Sequence, residues 1–167
     1  MSADCCVMGW NNYAAKGVRI STAGPQGYPY SGSVGTGVIL ELLGNLKLTV
    51  SNLAAGVRTG AESATYTSVD NMWQFYLITR VGNLFTLYLD GVFVASVTFA
   101  ATAVGTGFWI GNTYSAAKQA LWRVSATVPS VDQIAHIYRT ELPLFQPNAQ
   151  CTIAGTSTAV TALSYDD

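Results

Sequence analysis

Two-residue loops between apolar runs constrain this chain more than any other feature of its sequence. Gly44-Asn45 separates "VILELL" from "LKLTVS", Gly82-Asn83 separates "WQFYLITRV" from "LFTLYL", and Asp90-Gly91 separates "LFTLYL" from "VFVASVTF". Such short loops select the primed turns, whose twist matches that of paired strands. Asp-Gly favours type I′, and a leading glycine favours type II′. The three hairpins predict an antiparallel β structure.

The hairpin around Asp90-Gly91 shows which side chains share a face. Counting outward from the turn pairs Leu89 with Val92, Tyr88 with Phe93 and Leu87 with Val94. Because side chains alternate along a strand, one face is expected to carry Leu87, Leu89, Val92 and Val94, and the other Tyr88, Phe93 and Ala95. Both faces are apolar, so we predict that this stretch belongs to the core of a layered structure.

Other segments predict more strands and one helix. The strand candidates are "CCVMGW", "GVRIS", "GFWIG" and "QALWRVSA". The run "PSVDQIAHIYRTE" predicts a helix, because Ser130 and Gln133 form a capping-box pattern and apolar residues recur from Val131 to Tyr138 at helical spacing. His136 falls on the solvent side of this helix. The four tryptophans are predicted to lie in the core.

Composition excludes several classes of protein. Of the 167 residues, 50% are hydrophobic and 10% are charged, and the net charge is −1. The apolar runs are far shorter than the ~20 residues that a membrane-spanning helix needs, so we expect no membrane insertion. Nucleic acid is excluded as a partner because binding to phosphates requires several clustered basic side chains.

The three cysteines do not form a disulfide framework. Cys5 and Cys6 are adjacent, so in a strand they point to opposite faces and are not expected to pair. Cys151 is able to pair with at most one of them, and reduced thiols are the prediction. A zinc site is not expected, because the chain has one histidine and no C-x-x-C motif.

The block "NMWQFYLITRVGNLFTLYLDGVFVAS" resembles the central part of laminin-G-like, concanavalin-A-like lectin and glucanase domains. "GFWIGN" and "ALWRVSATVPSVDQIAHIYRTE" are similar to the later strands and closing helix of that family. The resemblance runs from Cys5 to Glu141, and its most specific piece is "LYLDG" after "WQFYLITR". It implies an all-β fold, a two-layer antiparallel β-sandwich of the jelly-roll type with one short helix near the C-terminus.

A second resemblance covers Ile137 to Asp167. The run "IYRTELPLFQPNAQCTIAGTSTAVTALSYDD" resembles a segment that follows laminin-G-like domains in bacteriophage tail and fibre proteins. We therefore expect a sandwich over residues 1–145, with a linker and strands over 146–167 that start a further module. The chain would then be a fragment or a truncated copy.

Several glycoside hydrolases share this sandwich, but their chemistry needs two carboxylates about 5–9.5 Å apart. Glu41 is the only acid in its strand, Asp132 and Glu141 flank the helix, and Asp90 occupies a hairpin turn. Catalysis by a serine, histidine and aspartate would depend on His136 alone. No enzyme activity and no catalytic residue are expected.

Polar loops supply the candidate binding residues. Sugars are bound by aromatic faces together with hydroxyl and amide groups, which gives Tyr28, Tyr30, Tyr66 and Tyr114 as candidate glycan contacts. The alternative for Tyr28 and Tyr30 is that they pack their own long loop, Thr22 to Gly37. For a metal, Asp70, Asn71 and Asn112 are weak candidates. Their oxygen atoms suit calcium, but turn and capping roles explain them equally, so no cofactor is predicted.

The resemblances imply a non-enzymatic virion protein of a bacteriophage, a tail-fibre or appendage module that contacts a host-surface glycan or receptor. Its partners would be other virion subunits in a homo-oligomer, with a trimer favoured. Two alternatives stay open. One is a capsid-decoration or fibre-spacer protein without a ligand, and the other is a secreted carbohydrate-binding module attached to a hydrolase.

Overall fold

A computed structural model describes residues 4–12, 19–21, 37–42, 47–54, 57–65, 67, 72–101, 109–110 and 118–146. Ten strands, one α-helix and one 3-10 helix lie in these ranges. The strands are β1 (Cys5–Asn12), β2 (Arg19–Ser21), β3 (Gly37–Leu42), β4 (Leu48–Ala54), β5 (Val57–Glu62), β6 (Trp73–Val81), β7 (Leu84–Leu89), β8 (Val92–Thr98), β9 (Trp109–Ile110) and β10 (Lys118–Ser125). The helix α1 spans Val131–Glu141, and the 3-10 helix spans Leu142–Phe145.

The strands form two five-stranded antiparallel sheets. Sheet 1 has the order β10-β1-β6-β7-β8, and sheet 2 has the order β5-β4-β3-β2-β9. Side chains from both sheets fill the space between them, including Val38, Leu40, Leu48 and Val50 from sheet 2. The predicted antiparallel β-sandwich with one short helix near the C-terminus is confirmed.

Two of the three predicted hairpins have the predicted loops. β6 and β7 pair up to Val81 and Leu84 across Gly82-Asn83, and β7 and β8 pair up to Leu89 and Val92 across Asp90-Gly91. Asp90 and Gly91 both have positive φ, 51° and 81°, as a type I′ turn requires at its two central positions.

The third hairpin exists, but its predicted loop was wrong. β3 and β4 pair Leu42 with Leu48 and Leu40 with Val50, so five residues separate the paired ends. A two-residue turn at Gly44-Asn45 would have placed Leu40 opposite Thr49. Because directly opposite residues share a face, the observed register keeps the buried side chains of Leu40 and Val50 together in the core.

The predicted faces of β8 were wrong beyond Phe93. A β-bulge shifts the register, so that Leu87 pairs with Ala95 and Val94 is the additional residue. The shift buries Ala95 and Val97 and leaves Ser96 and Thr98 exposed. β8 is moreover an edge strand, with Val92 and Phe93 exposed, so the core prediction holds for β7 and only in part for β8.

Strand β5 was not predicted. It lies at the edge of sheet 2, pairs only with β4 among the described strands, and leaves Val57 65% exposed. An edge strand buries little apolar surface, so its sequence lacks the alternation of apolar and polar residues that predicts strands.

Strand β10 has its own β-bulge beside Gly9. Met8 pairs with Arg123 and Trp10 pairs with Ala120, so Leu121 and Trp122 together lie opposite Gly9. Leu121 takes a left-handed conformation, with a φ of 50°. An added Cβ at Gly9 would lie 2.4 Å from the Trp122 ring, so the bulge places the indole directly on the glycine.

Helix α1 covers the other face of sheet 1 and creates a second apolar cluster. Cys6, Met8 and Trp10 of β1 and Phe75 and Leu77 of β6 meet the buried Ile134 of α1. Because β1 and β6 are covered on both faces, nearly all of their consecutive residues are buried. Within the described part of the chain, no helix is long and apolar enough to span a membrane.

The predicted capping box and helix are confirmed. The Ser130 hydroxyl accepts a hydrogen bond from the Gln133 backbone N–H, and the Gln133 side chain accepts one from the Ser130 N–H. His136 is exposed, as predicted. Val131 does not join the apolar stripe, because it is 60% exposed at the first helical position.

Trp10 connects β1 to the end of α1. Its indole is fully buried, stacks on Phe145 with ring centroids 4.2 Å apart, and donates a hydrogen bond of 2.7 Å from Nε1 to Glu141. Glu141 also forms a salt bridge with Arg123 of β10. The predicted core position is thus confirmed for Trp10. Trp122 is half-buried against the apolar cluster between the two sheets, and Trp73 is half-buried against the cluster beneath α1. The Trp109 side chain lies outside the described part.

Asp90 extends the pairing between β6 and β7 by one residue past the end of β7. Its Oδ1 accepts a hydrogen bond of 2.9 Å from the Phe75 backbone N–H, and its own N–H donates to the Phe75 carbonyl at 2.9 Å. Gly91 next to it lies against α1, where an added Cβ would be 3.3 Å from Ala135 and Tyr138. Asp90 therefore has a structural role in joining the hairpin to β6.

Replacing Asp90 with alanine is expected to lower the free energy of unfolding by about 2–3 kcal/mol. Alanine removes the acceptor for the Phe75 N–H, worth about 1–3 kcal/mol when the donor is left unpaired, and it tolerates a left-handed conformation poorly. Asp90→Asn keeps both an acceptor oxygen and tolerance of positive φ, so its loss should be less than about 1 kcal/mol. Urea denaturation of the two variants measures the difference, and equal losses would contradict the role of Oδ1.

Candidate functional site

The predicted binding residues cannot be placed from the described part of the chain. The candidate glycan contacts and the weak metal candidates all lie outside it, so they stay predictions: Tyr28, Tyr30, Tyr66 and Tyr114, and Asp70, Asn71 and Asn112. Among the residues that the structure does describe, no three His, Cys, Asp or Glu side chains are grouped as a metal ion requires.

A cleft lies between β1, α1 and the connection from β10 to α1. It has a volume of about 480 Å³ and is open to solvent along one side. Cys6 and Met8 form its floor, and Val128, Pro129 and Ile137 contribute apolar walls. We call it the helix cleft.

Polar side chains complete the lining of the helix cleft. Ser125 and Thr127 come from the end of β10 and the following connection, and Gln133 and His136 come from α1. The hydroxyls of Ser125 and Thr127 are 2.9 Å apart and hydrogen-bonded. In the capping box, Oε1 of Gln133 accepts a hydrogen bond from the Ser130 N–H. The Nε2 group of Gln133 takes no part in the capping box. The lining therefore offers donors and acceptors around an apolar, sulfur-containing floor.

Local sequence patterns explain why these residues converge. Cys6 and Met8 lie two positions apart on a strand and so share the face of sheet 1 that α1 covers. Gln133, His136 and Ile137 are spaced by three and four residues and so lie along one side of the helix. The helix cleft was not predicted, because no local sequence pattern shows which face of the sheet lies beneath His136.

The two adjacent thiols are free and lie in different environments. Cys6 is buried and Cys5 is half-buried. Desolvation by burial raises the pKa of the Cys6 thiol above its ordinary value of 9.0, and the nearby Cys5 thiolate would raise it further. Burial also raises the pKa of Cys5, although the charge of Arg80 opposes this. Both thiols therefore stay protonated at neutral pH, which makes them poor nucleophiles.

Stability is expected to fall as the pH rises above about 9. Burial raises the pKa values of Cys5, Cys6 and Tyr138 in the folded protein, so the folded state keeps protons that the unfolded chain has already released. This stabilisation is complete below the ordinary pKa values and is lost as the pH rises through the folded ones. Urea denaturation over this range measures the decline. Cys6→Ala should reduce its slope, whereas an unchanged slope would contradict the assignment to Cys6.

Comparison with known proteins identifies the class of fold. No family model matches the chain. No curated protein matches it. Among solved structures, the chain is similar to the binding domain of botulinum neurotoxin DC in complex with SialylT, with 12% identity and a TM-score of 0.56 over 84% of this chain and 36% of that one. The receptor binding domain of botulinum neurotoxin type G gives 10% identity and a TM-score of 0.57, over 83% of this chain and 38% of that one.

A carbohydrate-binding module shows the same likeness over most of its own length. For the module CBM66 from Bacillus subtilis, the identity is 12% and the TM-score is 0.53, over 74% of this chain and 76% of that one. The chain thus spans little more than a third of the neurotoxin domains but about three quarters of the carbohydrate-binding module. At these identities the likeness establishes the fold alone, a β-sandwich.

Proposed function

We propose that this chain is a non-enzymatic binding module that contacts a glycan or receptor on a host cell surface. The observation that carries the proposal is the β-sandwich shared with solved carbohydrate-binding and receptor-binding domains. A fold alone does not determine function. The helix cleft adds a concave surface whose lining of apolar and hydrogen-bonding groups is of the kind that binds small molecules.

The contacts of three described carboxylates, those of Asp90, Glu141 and Glu62, support a non-enzymatic role. Asp90 accepts from the backbone of Phe75, Glu141 holds Trp10 and Arg123, and Glu62 pairs with Lys47. Each of these acids has a structural partner. Glycoside hydrolysis would instead need two acids facing each other across a substrate.

The proposal extends to a bacteriophage virion, as a tail-fibre or appendage module within a homo-oligomer, with a trimer favoured. Its support is the resemblance of residues 137–167 to a segment of phage tail and fibre proteins. The charged fraction of 10% is also far below the roughly 25% of an average soluble domain, and a weakly charged surface is compatible with extensive contact between subunits.

A glycan array of bacterial surface polysaccharides, probed with the whole chain, tests the proposal. Binding to at least one polysaccharide is expected, and sedimentation of the same sample reports whether the chain forms a trimer. Silence across the array would contradict the binding role and favour a capsid-decoration or fibre-spacer protein. Binding by a monomer would instead favour a secreted carbohydrate-binding module, whose gene should adjoin that of a catalytic domain.

A further inference from the structure

The helix cleft combines an apolar floor with polar groups at the sides, and none of its lining residues is Asp, Glu, Lys or Arg. Its floor consists of the side chains of Cys6 and Met8, which are 1% and 7% exposed. Sulfur-containing side chains are polarisable and pack well against methyl groups. Thr127 and His136 are exposed and line the cleft, so they are accessible to a solute.

We infer that the helix cleft binds a neutral sugar carrying a methyl group, either a 6-deoxy sugar or an N-acetyl sugar. The methyl group would contact Met8 and the apolar walls formed by Val128 and Ile137, and the sugar hydroxyls would face Ser125, Thr127 and Gln133. This inference rests on the proposed function, since it names the ligand class and the site for the same binding role. The volume of about 480 Å³ is sufficient for one sugar ring with its substituent.

The charges around the helix cleft argue against acidic sugars. A carboxylate moved from water into the cleft would lose hydration, and the lining offers it neither a Lys nor an Arg side chain, which is unfavourable. Arg123 of the adjoining strand already pairs with Glu141. The cleft is therefore expected to discriminate against sialic acids, although these also carry an N-acetyl group.

His136 provides a direct probe of this site. It is the only histidine in the chain, so the NMR signal of its Cε1 proton is assigned without ambiguity, and its side chain lines the helix cleft. Titration of the whole chain with N-acetylglucosamine and with rhamnose should shift that signal to saturation at millimolar concentrations, as expected for so small a ligand. Glucose matches N-acetylglucosamine except for the acetamido group, so it lacks the methyl group and should bind about fourfold more weakly than N-acetylglucosamine. N-acetylneuraminic acid should leave the signal unchanged.

Filling the helix cleft provides the matched variants. Thr127→Trp places an indole beside the apolar wall and should weaken binding of both methyl-bearing sugars by at least about tenfold. Ser96→Trp makes the same kind of change at an exposed position of β8, outside the cleft lining, and should leave binding unchanged. Urea denaturation shows whether both variants fold. If Thr127→Trp is unfolded, Val128→Phe takes its place.

The outcomes separate this inference from the proposed function. Equal binding of glucose and N-acetylglucosamine, a shift of the His136 signal by N-acetylneuraminic acid, or undiminished binding by folded Thr127→Trp would overturn the inference. A positive glycan array with an unresponsive His136 would overturn the cleft site and leave the proposed function standing. A saturable His136 shift with a silent array would support the cleft site and contradict host-surface recognition. Silence in both experiments would overturn both.

Discussion

Replacing Gly9 with alanine is expected to lower the free energy of unfolding by about 3 kcal/mol. The new Cβ would lie 2.4, 2.7 and 2.8 Å from three atoms of the Trp122 ring, far inside ordinary van der Waals contact. These atoms belong to a rigid ring held by the bulge in β10, so the clash requires movement of either the indole or the strand. Overpacking of this kind costs about 1–3 kcal/mol, and occasionally more. Urea denaturation measures the loss.

A second glycine provides the control for Gly9. Gly82 has a φ of 56° and no atom within 4 Å of an added Cβ, so Gly82→Ala should cost only the conformational penalty of about 1–2 kcal/mol. Combining Gly9→Ala with Trp122→Leu should cost less than the sum of the two single changes, because the smaller side chain relieves the clash. Strict additivity would contradict the steric explanation.

Replacing Trp10 with alanine is expected to lower the free energy of unfolding by about 3–5 kcal/mol, the usual loss for a large aromatic side chain removed from a core. The Trp10 ring contacts Phe75, Tyr138 and Phe145. The change also leaves Glu141 without the indole donor. Because these partners hold α1 and the 3-10 helix on sheet 1, amide hydrogen exchange should increase most over residues 131–145.

Two further variants accompany Trp10→Ala, one as a surface control and the other as a test of the contacts of Glu141. Met72 is 51% exposed, so Met72→Ala should change the stability by no more than about 0.5 kcal/mol. Glu141→Gln keeps an oxygen that accepts from the indole and loses the salt bridge with Arg123. Its cost should therefore be well below that of Trp10→Ala. Equal losses for Trp10→Ala and Met72→Ala would contradict the central position of the indole.

Local chemistry explains which parts of the fold were predictable. The Gly82-Asn83 and Asp90-Gly91 loops were predicted because very few turns reverse a chain in two residues. Helix α1 was predicted because Ser130 and Gln133 cap each other within four residues. In these cases the residues that determine the structure are neighbours in the sequence.

Contacts between distant segments determine the features that sequence reasoning missed. The register of β3 and β4 depends on which side chains fill the space between the sheets, and the bulge at Val94 keeps Ala95 and Val97 in the core. The helix cleft joins residues of β1, β10 and α1, and no local pattern shows which face of a sheet a helix will cover. The candidate tyrosines lie outside the described part and remain predictions.

The hydrogen bond between Trp10 and Glu141 joins residues 131 positions apart in the chain. During synthesis from the N-terminus, the first strand therefore leaves the ribosome long before the helix that shields its indole. Contacts of such high sequence separation slow folding, and apolar surface exposed in the meantime promotes aggregation. A nascent chain that stops before residue 131 therefore leaves the Trp10 indole without its partners on α1 and the 3-10 helix.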